Sequence, residues 1–483
     1  MFGAGRASAI FWNLEEKVTT VAPRKPAKSA VAMLRSVNPA TGDSVGEVPI
    51  TPVENIPAIV ARARAAQRAW RTLGIDRRIE LIHPLAQKLI DRADDLGRLL
   101  TDEMGKPLAD AIGEVKHCGT SLDDMMAEIK SALQPQTLDG DKVQSVIHRD
   151  PFGVCAAISP WNFPIAMPHE MVIPALVAGN TVVLKPSEET PLIAQAYADL
   201  LNESLPPDVL QVIHGDEAQG KALVQADVDL IAFTGSREAG KHILAAAASG
   251  LKRVILELGG KDPMIVLDDA DIEKAAEFAA RNCFRNSGQV CVSTERIYVD
   301  EKIADRFEKS LADRAAALKV ARGTEPDVNL GPMISRRQAE SVLGKIDRAV
   351  RQGARVVAGG RGHHDAFVMP TILANLTSDM DIMREETFGP VACIVRVRSD
   401  DEAVAMANDT PFGLGATVFG GDPQRAECVA RHLDAGMIGI NKSCGGAPGS
   451  PWVGAKQSGY GYHSGPEGHR QFTQTRVVSS SKS

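Results

Sequence analysis

No two of the seven cysteines in this chain of 483 residues form a CxxC pair. Cys118, Cys155, Cys283, Cys291, Cys393, Cys428 and Cys444 are odd in number and widely spaced, which favours neither a disulfide framework nor a zinc site; no metal is expected. A reducing compartment fits best, and all but Cys291 read as small buried apolar filler. An excess of positive charge is also missing. The net charge of −7 favours solubility and leaves no electrostatic footprint for nucleic acid. No uninterrupted apolar run reaches membrane-spanning length, since residues 245–248 are only a helix segment. Neither nucleic acid nor membrane is therefore expected as a partner. Internal repeats are absent, and the Ser-rich stretch 479–481 is the one low-complexity tract.

What is present has the balance of an ordinary globular protein, with 44% hydrophobic and 24% charged residues. The length asks for two or three domains. Residues 1–35 carry Arg6, Lys17, Arg24, Lys25, Lys28 and Arg35 against only Glu15 and Glu16. They read as a flexible tail, with an organelle transit segment as the alternative. The turn-rich Ser36-Val37-Asn38-Pro39-Ala40-Thr41-Gly42-Asp43 opens the folded part. Helical spacing marks 56–70, 79–100 and 108–133, the last two separated by Gly105-Lys106-Pro107. A short strand is expected over 143–148. Strands at 154–158, 181–184, 209–213 and 230–234 then alternate with helices at 170–177, 192–201 and 238–248. That alternation argues for a parallel α/β sheet of nucleotide-binding character. A second α/β series follows Glu257, with helices at 271–285, 303–318 and 336–352 and strands at 296–299, 355–358 and 392–397.

Three motifs carry chemistry. Cys291 ends Phe284-Arg285-Asn286-Ser287-Gly288-Gln289-Val290-Cys291, and Glu257 opens Glu257-Leu258-Gly259-Gly260-Lys261. A thiol and a carboxylate, each in a glycine-containing turn, read as a nucleophile and a general base brought together by folding. Pro160-Trp161-Asn162-Phe163-Pro164 offers an amide that can donate to a developing oxyanion. Strand 230–234 runs into Gly235-Ser236-Arg237-Glu238-Ala239-Gly240 and a helix. Glycine lets a backbone approach a phosphate, and the helix start offers free N–H groups. The spacing is not the usual dinucleotide GxGxxG, and alone it reads as a plain tight turn. Lys185-Pro186-Ser187-Glu188 follows a strand, and a carboxylate there can accept from ribose hydroxyls.

In these motifs, and from about Asn38 to near the C-terminus, the chain resembles the aldehyde dehydrogenase superfamily in its non-acylating, nicotinamide-dependent branch. The resemblance implies an α/β fold: a Rossmann-like cofactor domain, an α/β catalytic domain and a small β oligomerisation arm. The corresponding ranges here are 36–135 with 151–257, then 258–466, then 136–150 with 467–483, after the tail 1–35. An arm with an unpaired edge strand needs a partner, so a homodimer or homotetramer is expected. The resemblance further implies that Cys291 attacks an aldehyde, that Asn162 and the Cys291 N–H hold the oxyanion, and that Glu257 activates water to hydrolyse a thioester. Ser236 would contact the pyrophosphate and Glu188 the adenosine ribose. Because Glu188 opposes a 2′-phosphate, NAD is favoured, with NADP as the alternative that Lys185 or Ser187 would serve. Glu386 in Glu386-Thr387-Phe388-Gly389-Pro390 would bind the nicotinamide ribose, with Phe388 beside the ring. Ile158, Pro160, Trp161, Gly215, Phe233, Gly235, Leu258 and Gly259 complete the implied cofactor contacts. Lys261 and Asn441 sit in family-like contexts with positional roles.

The implied substrate is a small aldehyde, met by Met167, Glu170, Met171, Arg285, Val290 and Val292. The glycine-rich 442–451 closes the channel mouth and supplies little aromatic wall. Members acting on succinate semialdehyde resemble this chain at Arg285 but usually carry a second arginine where Glu170 stands. A carboxylate there would repel a carboxylated aldehyde; it favours an amino-aldehyde, or it pairs with Arg285. Ser458-Gly459-Tyr460-Gly461-Tyr462-His463 stands where many members read SGxGRE, so an auxiliary acid-base pair is missing and His463 reads as a surface residue. An acylating, coenzyme A-dependent enzyme and a catalytically silent relative are the alternatives. The reducing compartment is taken as the cytoplasm, with organelle import second.

Overall fold

The computed structural model describes residues 32–360 and 365–482. The expected tail lies outside the described residues up to position 31. Its last four positions do not, and Met33–Val37 is a strand paired antiparallel with Ser44–Pro49 around the Asn38–Gly42 turn. Asn38 builds that turn: its side chain accepts from the Ala40 N–H at 2.9 Å, and its carbonyl accepts from Gly42 at 2.8 Å.

The helical layer follows the expected spacing with one correction. Residues 79–100 are not one helix but parts of three: Gly74–Ile82, Pro84–Asp91 and Ala93–Met104. Pro84 has no N–H to continue a helix and starts a new one instead. The apolar stripe continues across the break, and Ile82, Leu85, Leu89, Leu96 and Leu100 are all buried in one core. The long helix Leu108–Ala132 packs against these helices, and Ala166–Ala178 joins the same core. The latter begins four residues before its expected start and is buried on nearly every side.

A six-stranded sheet carries the first half of the chemistry. Its order is Gly459–Tyr460, Arg253–Glu257, Leu230–Thr234, Val154–Ile158, Thr181–Lys185 and Leu210–Val212. All neighbours are parallel except Gly459–Tyr460, which pairs antiparallel with Leu256 and Glu257. That short strand comes from the range expected for the other domain. The inner strands are buried from end to end, as parallel strands covered on both faces must be. The chain winds outward from Val154–Ile158 to Leu210–Val212, then returns to the other side at Leu230–Thr234. In such sheets the crevice outside the carboxyl ends at this reversal is where ligands bind.

A seven-stranded sheet follows, ordered Arg355–Ala358, Thr371–Ala374, Val391–Val397, Thr294–Asp300, Asp262–Val266, Gly415–Phe419 and Met437–Ile440. Only the edge strand Arg355–Ala358 is antiparallel. A three-stranded sheet pairs Thr473–Ser481 with Val143–Pro151, which also pairs with Gln136–Asp139. Among the described residues no helix is long and apolar enough to cross a membrane.

Asn180, fully buried, ties three of these parts together. Its side chain accepts from Gly153 N–H at 2.9 Å and donates to the carbonyls of Phe472 at 2.9 Å and Ala175 at 3.2 Å. Asn180→Ala is expected to lower the unfolding free energy by roughly 1–3 kcal/mol for each group left unpaired. A urea titration checks this, and an unchanged midpoint would remove Asn180 from the account of the fold.

Candidate active site

Two turns meet at the site, and glycines let them meet. Glu257 is the last residue of its strand, and Leu258-Gly259-Gly260 leads straight into Asp262–Val266. A Cβ on Gly260 would lie 2.5 Å from the Cys291 carbonyl oxygen, and one on Gly259 would lie 2.3 Å from Glu386 Oε2. At Gly260 only hydrogen fits against that backbone, while at Gly259 a side chain would displace the Glu386 carboxyl. Ser458 holds the turn from the other side. Its hydroxyl donates to the Gly259 carbonyl at 2.7 Å and accepts from Gly413 N–H at 2.9 Å, and its carbonyl accepts from Leu258 N–H at 3.0 Å.

The approach to Cys291 is strained and tightly tied. Asn286, Ser287 and Gly288 are consecutive left-handed residues, with φ of 52°, 56° and 71°. For Asn and Ser this conformation is costly unless its surroundings hold it. Ser287 Oγ donates to the Gly331 carbonyl at 2.7 Å, and Gln289 Oε1 accepts from Ile334 N–H at 2.8 Å. Asn286 Nδ2 donates to the carbonyls of Asn162 and Gln289, both at 3.2 Å. Asn162 Nδ2 donates to the same Gln289 carbonyl at 3.0 Å, leaving one of its two amide hydrogens for another acceptor. The expected oxyanion donor is thus fixed to the cysteine loop itself.

Cys291 and Glu257 lie close enough for each to shift the titration of the other. Burial raises the Glu257 carboxyl to about 7, against the opposing pull of Cys291 and of the hydrogen bond from Trp452 Nε1, 3.2 Å from Oε1. Burial, then the adjacent Glu257, holds the Cys291 thiol well above its ordinary range. Both shifts favour the protonated form, so Cys291 sits as a thiol beside the Glu257 carboxyl. Cys291 is half-buried, while Asn162 and Glu257 are each 5% exposed.

A cavity of about 290 Å³ opens on this pair. Twelve of the expected site residues line it: Pro160, Trp161, Asn162, Met167, Gly235, Ser236, Glu257, Leu258, Gly259, Cys291, Glu386 and Phe388. It spans the carboxyl ends of Val154–Ile158 and Leu230–Thr234, where the sheet reverses. Ile158 ends the first of these strands, and the Phe233 ring lies against Gly235, whose Cβ would fall 2.5 Å from it. Ser236 caps the helix Arg237–Ala248 by accepting from Ala239 N–H at 3.3 Å. Glu386 accepts from Gly260 N–H at 3.1 Å, and burial raises its carboxyl to about 8. The Trp161 and Phe388 rings meet edge to face, with centroids 5.4 Å apart.

Other expected residues stand outside that cavity. Lys185 Nζ donates to Glu188 at 3.3 Å and to the Pro186 carbonyl at 2.9 Å, while Ser187 Oγ accepts from Glu189 N–H at 3.3 Å. They lie at the carboxyl end of the strand next to Val154–Ile158. Gly215 precedes a capping box formed by Asp216 and Gln219. Val292 packs with Leu414, Met437, Cys444 and Trp452, and Val290 is half-buried beside Cys291. Arg285 is exposed, lies over the Phe163 ring at 5.6 Å, and lines a different cavity with Asp110, Glu277 and Arg281. Glu170 does not pair with it; Glu170 Oε2 accepts from Ser464 Oγ at 3.0 Å, with His463 Nδ1 at 3.8 Å. His463 is buried, which corrects its reading as a surface residue, and burial lowers it to about 4. Asn441 makes two hydrogen bonds to Gly420 and Lys261 two to Glu295 and Thr387, both positional arrangements.

Sequence reasoning missed several lining residues. Thr234, Gln338, Ser341, Lys345 and Thr387 all face the cavity. Lys345 Nζ donates to the Glu386 carbonyl at 2.5 Å and Gln338 Nε2 to the Phe388 carbonyl at 3.1 Å. Their one signal was a polar face on the helix Arg336–Arg351, which any solvated helix also shows.

Comparison with known proteins agrees with this geometry. The Aldehyde dehydrogenase family matches residues 26–478. The chain is 37% identical to the succinate-semialdehyde dehydrogenase [NADP(+)] of Escherichia coli, over 91% of this chain and 93% of that protein. It is 36% identical to the chloroplastic betaine aldehyde dehydrogenase of Beta vulgaris, over 92% of each. The crystal structure of betaine aldehyde dehydrogenase from Staphylococcus aureus in complex with NAD+ superposes with a TM-score of 0.89 at 31% identity, covering 93% of this chain and 91% of that one. The chain belongs to the aldehyde dehydrogenase family and is an oxidoreductase.

Gly260→Ala is expected to push the Cys291 backbone aside and reduce kcat by about 100-fold, since a misplacement near 1 Å has that effect on a positioned nucleophile. Steady-state kinetics with a folded control by circular dichroism measures it. Wild-type kcat in a folded variant would contradict the close approach.

Proposed function

We propose that this protein oxidises an aldehyde to the free carboxylic acid with a nicotinamide dinucleotide, through a covalent intermediate on Cys291. The observation that carries the reading is that Cys291, Glu257 and Asn162 line one cavity, with the thiol and the carboxyl each shifting the other's titration. As Cys291 Sγ attacks the aldehyde carbon, Glu257 takes the thiol proton. The carbonyl oxygen becomes an oxyanion, for which the free Asn162 amide hydrogen and the Cys291 N–H are the donors. The bound dinucleotide supplies the acceptor for the hydride that leaves the former aldehyde carbon. That departure leaves a thioester on Cys291. Glu257, after releasing its proton to solvent, draws a proton from water, and the resulting hydroxide adds to the thioester carbon. The C–S bond breaks, the acid leaves, and the sulfur recovers a proton.

The residues present fit a dinucleotide. Gly235 and Gly259 leave room that a Cβ would fill, and Ser236 begins a helix whose N–H groups suit a pyrophosphate. We assign Ser236 to the pyrophosphate, Glu188 to the adenosine ribose, and Glu386 with Phe388 to the nicotinamide half. Lys345 and Gln338, which hold that segment, join the assignment. NAD is the preferred cofactor because the Glu188 carboxylate opposes a 2′-phosphate; Lys185, already paired with Glu188, is the route by which NADP would be tolerated. The six-stranded sheet is the proposed cofactor domain, the seven-stranded sheet the catalytic domain, and the three-stranded sheet the arm of a homodimer or homotetramer. All seven cysteines are unpaired, which supports a cytoplasmic setting. The acylating and silent alternatives are disfavoured, because the base is present and lies beside the nucleophile.

For the substrate, Glu170 stands one helical turn beyond the cavity-lining Met167 on the same face of Ala166–Ala178. A carboxylate there supports an aldehyde with a cationic or hydrogen-bond-donating tail over a carboxylated one. Burial raises Glu170 to about 7, so its charge, and the preference it brings, is present above that pH and fades below it.

Three outcomes are expected. Cys291→Ala abolishes NADH formation across a panel of aliphatic, aromatic, carboxylated and amino-aldehydes. Glu257→Gln slows the first turnover of NADH, because the thiol loses its proton acceptor, and slows the following turnovers by about 10²–10⁴; in the wild type, kcat declines as pH falls through about 7, where Glu257 gains its proton. Glu170→Arg moves the ranking towards carboxylated aldehydes. An unchanged ranking would remove Glu170 from selectivity, and NADH turnover surviving in Cys291→Ala would remove the thiol mechanism.

A further inference from the structure

We infer that Trp452 is a positioning residue for the general base: its indole N–H pins one oxygen of Glu257, and His463 pins the indole. The inference rests on the assignment of Glu257 as the base. Trp452 Nε1 donates to Glu257 Oε1 at 3.2 Å, although the two residues lie far apart in sequence. An indole N–H can only donate, so Trp452 cannot carry a proton to or from the carboxylate. What it can do is fix the plane of the carboxylate and leave the other oxygen to face the reacting groups. A buried carboxylate with two equivalent oxygens and no such anchor would turn between its partners.

The indole is itself held. Trp452–Val453 pairs antiparallel with Tyr462–His463, and Trp452 stands directly opposite His463 in that register. Their rings lie nearly parallel, 22° apart, with centroids at 6.3 Å. His463 Nδ1 is 2.8 Å from Ser464 Oγ, and Ser464 donates to Glu170. The tautomer consistent with that chain carries the proton on Nδ1. Burial keeps His463 neutral near pH 7, so it steadies the ring without setting a second charge beside the base. The anchor therefore runs from Glu170 through Ser464, His463 and Trp452 to Glu257, linking the tail end of the substrate channel to the base. It stands in the segment where the aldehyde dehydrogenase resemblance fails, at Gly461-Tyr462-His463.

The ionisable groups around the base are Cys291 beside it, then Asp262 and Glu386 on the cysteine's other sides, and His463 behind the indole. None of them replaces the N–H that Trp452 supplies. Losing it removes a contact that favours the ionised carboxylate, which moves the Glu257 titration to higher pH.

The test is Trp452→Phe, which keeps an aromatic ring against His463 and removes the N–H. Stopped-flow NADH formation is followed with NAD and the aldehyde that the wild type turns over fastest, from pH 5.5 to 9, beside Glu257→Gln. The expected result is steady turnover reduced about tenfold or more at pH 7, with the acid limbs of both the first-turnover rate and steady turnover displaced to higher pH. Wild-type turnover with an unmoved acid limb would overturn the inference. So would a loss of turnover that does not recover at high pH, since the ring and not its N–H would then be holding the site. Unimpaired turnover in Glu257→Gln would instead overturn the assignment of the base.

Discussion

The site depends on one buried ion pair. Lys261 Nζ, with its side chain shut off from solvent, donates to Glu295 Oε2 at 2.5 Å and to Thr387 Oγ1 at 2.9 Å. Charges so deeply buried are tolerated only when every capacity is used. Most of it is used here, because Glu295 also accepts from the Thr387 and Phe388 N–H groups at 2.7 and 2.9 Å. The Lys261 carbonyl accepts from Arg296 Nε at 2.8 Å. One pair thereby joins the turn after Glu257, the strand after Cys291, and the segment bearing Glu386 and Phe388. Cys291, Glu257 and the far wall of the cavity share a single support.

The electrostatics around that support explain why the cysteine needs its base. Burial pushes Glu257 to about 7, Glu386 to about 8, and Asp262 well above its ordinary value. A thiol among so many acids gains nothing from ionising early, and the thiol of Cys291 is raised accordingly. Burial thus sets a Glu257 carboxyl near neutrality beside a raised Cys291 thiol.

Much of this was legible in the sequence, and the rest was hidden for identifiable reasons. Glycine-bearing turns around Cys291 and Glu257 announce close backbone approach, and Gly259 and Gly260 make it. The alternation after residue 154 gave the parallel sheet because strands buried on both faces are continuous apolar runs. Glu295 left no such sign: Thr294-Glu295-Arg296 looks like the polar end of a strand, yet Thr294–Asp300 is buried throughout. Trp452 and Ser458 were obscured by their small-residue surroundings, where no periodicity points inward. Helical spacing over 79–100 concealed two breaks, since the apolar stripe continues through Pro84. Arg285, beside Phe284 in the cysteine motif, turned outward over Phe163, a choice that only tertiary packing decides.

The central claim is that Cys291 carries the acyl group and Glu257 releases it. Intact-protein and peptide mass spectrometry of Glu257→Gln, quenched in acid after mixing with NAD and the aldehyde best used by the wild type, tests it most directly. The account predicts one acyl adduct, on the peptide containing Cys291. No adduct, or an adduct on any of the other six cysteines, would contradict it.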